Sequence, residues 1–204
     1  MMILRSAAPS PFGRKVQIAL SLLGMDDVKL EPADTMDPRD SVRGQNPLGK
    51  IPVLILDDGA TFYDSRVILE YLDYRAGGGK IIPREADQRF AALRLQALCD
   101  GILDASILQV YEGRWRPAEK HEQKWLDHQA GKVARALSML EIGPPALGAG
   151  QQLPNVGQIA LACALGYRDF RFGGTWRSDY PRLVAWLESF AARVPAFAAT
   201  TPKA

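Results

Sequence analysis

Asn46-Pro47-Leu48-Gly49-Lys50-Ile51-Pro52-Val53-Leu54 is the stretch on which the reading of this chain turns. Pro52 stands directly before an apolar segment, Val53 to Leu56, that reads as a buried strand. Asp57-Asp58-Gly59 is a tight-turn signal, so Thr61 to Tyr63 is expected to return as the second arm of a hairpin. Asp64-Ser65 then opens an apolar helix expected to run to about Tyr74, with Asp64 in the N-cap position and Ser65 first in the helix.

Upstream, Met2 to Ser6 reads as a strand, Pro11 to Leu23 as a helix stopped by Gly24, and Val28 to Glu31 as a second strand. That βαβ order favours a parallel pair joined by a right-handed crossover. Residues 38 to 46 hold at most a short helix, interrupted by Pro38, Gly44 and Pro47. The sum, βαβ then ββα, predicts a small open sheet with helices packed on it.

Downstream, Ala76-Gly77-Gly78-Gly79-Lys80 reads as flexible and is closed by Pro83, which puts a domain boundary near residues 76 to 84. Everything beyond reads as helical. Ala86 to Glu112 carries apolar residues at near-helical spacing (Phe90, Leu93, Ala97, Leu98, Ile102, Ala105, Leu108). Ala118 to Leu140, Asn155 to Tyr167 and Tyr180 to Val194 are expected as further helices, and the tail from Pro195 as loosely held.

The chain has 204 residues, 47% of them apolar, enough for a substantial core in one domain or two. A net charge of +2, from 25 basic and 23 acidic residues, provides no broad field for nucleic acid or anionic membrane. No secretory signal and no 18-residue apolar run is evident, so a cytoplasmic location is expected. Cys99 and Cys163 lie in apolar helical contexts without a Cys-x-x-Cys or a His pair, and read as buried thiols. His121 and His128, seven apart with no third ligand, read as solvated positions on one helix, and no metal site is expected.

Three phrases in this order, Ser10-Pro11-Phe12-Gly13-Arg14-Lys15-Val16, Gly49-Lys50-Ile51-Pro52-Val53-Leu54 and Asp64-Ser65, carry a resemblance that covers nearly the whole chain. Asn155-Val156-Gly157-Gln158 adds a capping box in the second half. The chain resembles the cytosolic glutathione S-transferase superfamily, and within it bacterial members with a serine at the start of the first helix. The resemblance implies an α/β plus all-α fold: a thioredoxin-like glutathione-binding domain over residues 1–76, then a helical domain over residues 84–204 that contributes a pocket for a second substrate. It also implies glutathione as co-substrate, a small electrophilic partner substrate and a homodimer, with no nucleic acid and no membrane.

Taken by itself, Ser10 before Pro11 is a helix N-cap, a feature contributing about 1 kcal/mol. The resemblance implies more: a serine near this point hydrogen-bonds the glutathione sulfur and, with the positive end of the helix, favours thiolate over thiol. Ser6, at the end of the first strand, is the fallback hydroxyl. No tyrosine stands there, so a tyrosine-type mechanism is excluded. A serine at position 10 also forms no mixed disulfide, which favours conjugation, or another reaction begun by the thiolate, over thiol exchange.

For Pro52, base statistics alone favour a trans bond. The resemblance implies cis, with the backbone of Ile51 turned toward the cysteinyl part of glutathione like an added strand rung. It further implies that Ser65 and the helix N-terminus hold the γ-glutamyl carboxylate, Asp64 the α-amino group and Lys50 the glycyl carboxylate. Read without it, Asp64 and Ser65 simply cap and begin a helix, and Lys50 is solvated. For Asp100 and Asp104 the resemblance implies an acid at the mouth of the site or reaching the partner subunit's glutathione; read without it, the pair has a capping or solvated role. Tyr111, Arg114, Trp115 and Arg116 either line the second pocket or serve as interface and core. Rival readings are a glutathione-dependent isomerase, dehalogenase or peroxidase, and a non-catalytic glutathione-binding protein.

Overall fold

The computed structural model describes residues 1–150 and 152–202. Its first part runs β1 (Ile3–Ser6), α1 (Pro11–Leu22), β2 (Lys29–Pro32), α2 (Val42–Gln45), β3 (Val53–Ile55), β4 (Thr61–Phe62) and α3 (Ser65–Arg75). The sheet order is β2-β1-β3-β4, with β1 parallel to β2 and β3 antiparallel to both its neighbours. The predicted βαβ-ββα order therefore holds, and the weak helix at 38–46 shrinks to the single turn of α2.

Side-chain alternation assigns the two faces of this sheet. Leu4 and Leu54, partners across β1 and β3, join Val16 and Leu20 of α1 and Ile68 and Leu72 of α3 in one buried cluster. Val53 points the other way, into Ala33 and Val42. Arg5, opposite Val53, is buried on that same side, where its guanidinium donates to Ser41 Oγ (2.8 Å), Asp40 Oδ1 (2.9 Å) and the Pro32 carbonyl (3.1 Å). Those bonds offset most of the cost of burying the charge, with Nε left as a buried donor that has no partner among the described residues.

The second part is helical: α4 (Ala86–Trp115), α5 (Gln123–Ile142), α6 (Val156–Phe172), α7 (Pro181–Arg193) and α8 (Pro195–Ala199), with 3-10 turns at Ala118–Lys120 and Thr175–Ser178. Helix α6 is buried all round from Val156 to Tyr167, as befits the central helix of a bundle. Its Asn155 cap accepts from Gly157 and Gln158 while Gln158 Oε1 accepts from the Asn155 N–H, closing the expected capping box. Ile18 and Ala19 of α1 and Leu69 of α3 belong to the same buried cluster as α4 and α6, so α1 is packed between sheet and bundle.

Close packing of α6 on α4 depends on Gly157. A Cβ there would lie 2.6 Å from the Ala92 carbonyl oxygen and 2.8 Å from Leu95 Cβ. Alanine is the better helix former by about 1 kcal/mol, but a backbone oxygen has no rotamer by which to move aside. Gly157→Ala is expected to lower stability by about 1–3 kcal/mol, read as a lower urea midpoint at unchanged m-value.

Three expectations need correction. The glycine run is pinned: Asp73 accepts the backbone N–H of Gly79 (2.8 Å), Lys80 (2.8 Å) and Ile81 (2.7 Å), and Ile81 and Ile82 are buried in the helical core. The tail from Pro195 to Thr201 is held as well, because Arg14 donates to the Phe197 carbonyl (2.5 Å), Thr200 Oγ1 (3.2 Å) and Thr201 Oγ1 (3.1 Å) and stacks over the Phe197 ring at 4.1 Å. His121 precedes α5 instead of lying within it, since the Glu112 carboxylate binds the Glu122 N–H and Glu122 caps the helix. The two histidines thus share no helix face, and among the described residues no cluster suited to a metal ion occurs.

Candidate glutathione site

Sheet register brings the three sequence landmarks to one end of the sheet. Arg5 pairs with Val53, so the end of β1, which leads to Ser10, lies beside the entry to β3, which Pro52 precedes. Leu54 pairs with Phe62, so Asp64 and Ser65 emerge at that same end. The N-termini of α1 and α3 therefore open toward the Ile51–Pro52 turn.

Ser10 caps α1, its Oγ accepting from the Gly13 N–H at 3.1 Å, and its side chain is partly open to solvent. Ser6, the fallback hydroxyl, is 2% exposed and its Oγ has no hydrogen-bond partner among the described residues. It lies 1.8 Å from where a Cβ on Gly13 would stand, and Ser10 Oγ lies 3.5 Å from that same point. Glycine at position 13 is what lets Ser6 tuck beneath α1, and that closure leaves Ser10 as the more accessible hydroxyl.

The Ile51-Pro52 bond is cis, as the resemblance implied. Asn46 braces the loop before it, its side chain donating to the Lys50 carbonyl (2.9 Å) and accepting from the Leu48 N–H (3.0 Å). Among the described residues no backbone hydrogen bond uses the N–H or carbonyl of Ile51. That residue is free to add one strand-like rung. Lys50 is exposed.

Asp64 is the N-cap of α3, accepting from the Arg66 N–H at 2.9 Å and from the Arg66 guanidinium at 2.7 Å. Burial pushes its pKa upward, but the Arg66 hydrogen bonds outweigh it and hold the carboxyl below its ordinary range. Ser65, first in the helix, is 2% exposed, and its hydroxyl makes no hydrogen bond among the described residues. A helix N-terminus carrying such a hydroxyl suits a carboxylate.

Beneath these residues lies a charge pair that the sequence did not reveal. Lys15 is fully buried and its ammonium donates to Asp100 of α4 at 2.5 Å, with the Phe12 ring 5.2 Å away. Asp100 thus has neither the capping nor the solvated role considered for it. Burial raises its pKa, and Lys15 offsets this only in part. The available signal was Lys15 itself, standing among Pro11, Ile18 and Ala19 on the apolar face of α1. Asp104, one turn on, reaches the surface; partial burial, then the Asp100 charge, raise its pKa.

Leu108, a further turn along α4, begins a cleft of about 630 Å³ lined also by Tyr111, Trp115 and Trp125. Arg116 lines the same cleft with Glu112 and Glu122, ion-paired to the Glu112 carboxylate at 2.7 and 2.8 Å, whereas Arg114, grouped with it in the sequence reading, is not among the lining residues. Both cysteines are buried: burial pushes the Cys163 thiol up to about 11 and Cys99 higher still, so neither supplies a thiolate at neutral pH.

A βαβ-ββα sheet with a cis-proline entering its third strand, followed by an all-helical bundle, defines a thioredoxin-like domain joined to a helical one. The model of the glutathione S-transferase N-terminal domain matches residues 4–80, and that of the C-terminal domain residues 123–189. The chain is 34% identical over 194 residues to the uncharacterized GST-like protein YibF of Escherichia coli K12, covering 95% of each. It is 28% identical to a maleylacetoacetate isomerase of Pseudomonas aeruginosa PAO1, over 92% of this chain and 90% of that one. A crystal structure of a glutathione transferase family member from Pseudomonas fluorescens Pf-5, with bound glutathione, superposes with a TM-score of 0.91 at 42% identity, covering 100% of both chains. This protein belongs to the glutathione S-transferase family.

Proposed function

We propose that this protein is a glutathione transferase that binds glutathione through Lys50, Ile51, Pro52, Asp64 and Ser65. Ser10 donates a hydrogen bond to the sulfur and stabilises the thiolate that remains when the thiol proton passes to water; a thiolate lone pair then forms a C–S bond with a small apolar electrophile, as a leaving group departs with its bonding pair or the π pair of an activated double bond moves to the next carbon and is protonated. The observation that carries this reading is the meeting of Ser10, the unpaired Ile51 backbone and the unbonded Ser65 hydroxyl at one end of the sheet. The bound glutathione of the Pseudomonas fluorescens relative supports it. The γ-glutamyl carboxylate takes Ser65 and the N-terminus of α3, Lys50 the glycyl carboxylate, and Asp64 the α-amino group, its outer face being half open beside Arg66.

The protein is proposed to act in the cytoplasm, clearing reactive electrophiles as a two-fold homodimer. Exposed apolar residues on α3 and α4, Val67, Tyr74 and Phe90, offer a surface for that pairing. The Pseudomonas aeruginosa isomerase favours one alternative, in which the same thiolate adds to an unsaturated substrate and leaves again after its geometry has changed.

Calorimetric titration of glutathione into the wild type and Ser65→Ala tests the grip. Loss of a hydrogen bond to a charged group is expected to weaken binding about tenfold or more. Equal affinity in the two proteins, or no binding to the wild type, would overturn the assignment.

A further inference from the structure

Nearer its start, α4 borders a second and larger cavity, of about 960 Å³, whose described lining includes none of the residues proposed to grip glutathione. Its walls are the linker at Gly79 to Arg84, the first half of α4 as far as Leu98, the last turn of α5 and the connection from Gly143 to Leu153. From Leu98 to Leu108, where the aromatic cleft begins, α4 rises about 15 Å. Part of the lining is apolar: Leu95 and Leu98 of α4 are half-buried, and Met139 of α5 is 55% exposed. Lys80, Arg84 and Arg94 line the same space.

Lysines and arginines on a helix surface are commonly just solvated, or paired weakly with nearby acids. Two observations separate this cavity from that reading. The chain has 25 basic and 23 acidic residues, yet among the described residues three cations and no Asp or Glu line this space. The flanking acids are engaged elsewhere, Asp73 with the N–H groups of Gly79, Lys80 and Ile81 and Glu85 with those of Asp87 and Gln88. Arg84 is held by the Gly77 and Gly78 carbonyls, whereas among the described residues Lys80 and Arg94 enter no ion pair. Second, the walls are braced from outside. Arg193 donates to the Gly148 and Gln152 carbonyls, Trp186 Nε1 to the Pro145 carbonyl (2.6 Å) and Gln158 Nε2 to the Ala146 carbonyl (2.6 Å). Walls already ordered lose little freedom when a ligand enters.

We propose that this cavity is a second binding site, apart from the glutathione grip, for an amphipathic carboxylate: a free small molecule whose apolar body lies on Leu95, Leu98 and Met139 and whose acid group is drawn to the unpaired cations of the wall, Lys80 and Arg94. The volume is of the size that takes a whole small molecule, and guanidinium and ammonium groups are the natural partners of a carboxylate. The site stands independently of the glutathione reading.

The test compares decanoate with 1-decanol by calorimetric titration of the full chain, with S-hexylglutathione present in excess to fill the glutathione grip. The proteins are the wild type, the Lys80→Gln/Arg94→Gln double variant and Ala91→Trp, which puts an indole into the cavity; all three positions are exposed, so the fold tolerates the changes. The wild type is expected to bind decanoate about tenfold more tightly than 1-decanol, the worth of one charge-assisted hydrogen bond. The double variant should bring the two ligands to near parity, and Ala91→Trp should weaken both several-fold, with S-hexylglutathione affinity unchanged throughout. No binding of decanoate to the wild type, a preference that survives in the double variant, or undiminished binding to Ala91→Trp overturns the proposal. Failure of S-hexylglutathione to bind the wild type overturns the glutathione reading alone, since the three proteins still report on this cavity.

Discussion

Ser10→Ala is expected to lower turnover by about 10²–10³-fold, the usual effect of deleting one donor to a developing or stabilised anion, while leaving glutathione affinity nearly unchanged. The split follows from where the contacts fall. In the proposed grip Ser65, the α3 N-terminus, Lys50 and the Ile51 backbone hold the ends and middle of the tripeptide, whereas Ser10 meets the sulfur alone. The same substitution removes the cap on Gly13, worth about 1 kcal/mol, too little to unfold a domain at assay temperature. The decisive measurement is the ultraviolet absorbance of bound thiolate against pH. The titration should move upward in Ser10→Ala, by one unit for each 1.4 kcal/mol of lost preference for the anion. An unmoved titration with unchanged turnover would transfer the role to Ser6 or to backbone N–H groups.

Asp100→Ala is expected to destabilise the fold by about 3–5 kcal/mol, because it strands the Lys15 ammonium in the interior without its partner. Net stability of a domain is about 5–15 kcal/mol, so this one change threatens folding itself. Replacing both partners, as in Lys15→Met with Asp100→Leu, should return most of the loss, since no orphaned charge remains. Denaturant midpoints of the single and double variants measure the difference. A double variant as unstable as Asp100→Ala would show that packing around the pair, and not the stranded ammonium, sets the cost.

Much of this architecture was legible in the chain because local chemistry and global fold agree. The turn at Asp57-Asp58-Gly59, the caps at Asp64 and Asn155 and the Pro11 helix start each mark a boundary that recurs in the structure within a residue or two. What escaped reading depends on residues far apart in sequence. Lys15 finds Asp100 across 85 positions and Arg14 finds Phe197 across 183, and no local pattern encodes either meeting. Pro195 to Thr201 looked loose because Pro, Ala and Thr specify little by themselves; the order comes from Arg14.

The Arg14 clasp bears on how such a chain comes into being at the ribosome. The helix carrying Ser10 is made about 180 residues ahead of the carbonyl and hydroxyls that satisfy its neighbouring guanidinium, which belong to residues 197 to 201. Closing so long a loop is entropically dear and contributes to slow, non-local assembly. A nascent chain interrupted before residue 197 therefore holds its first helix with that cation unsatisfied.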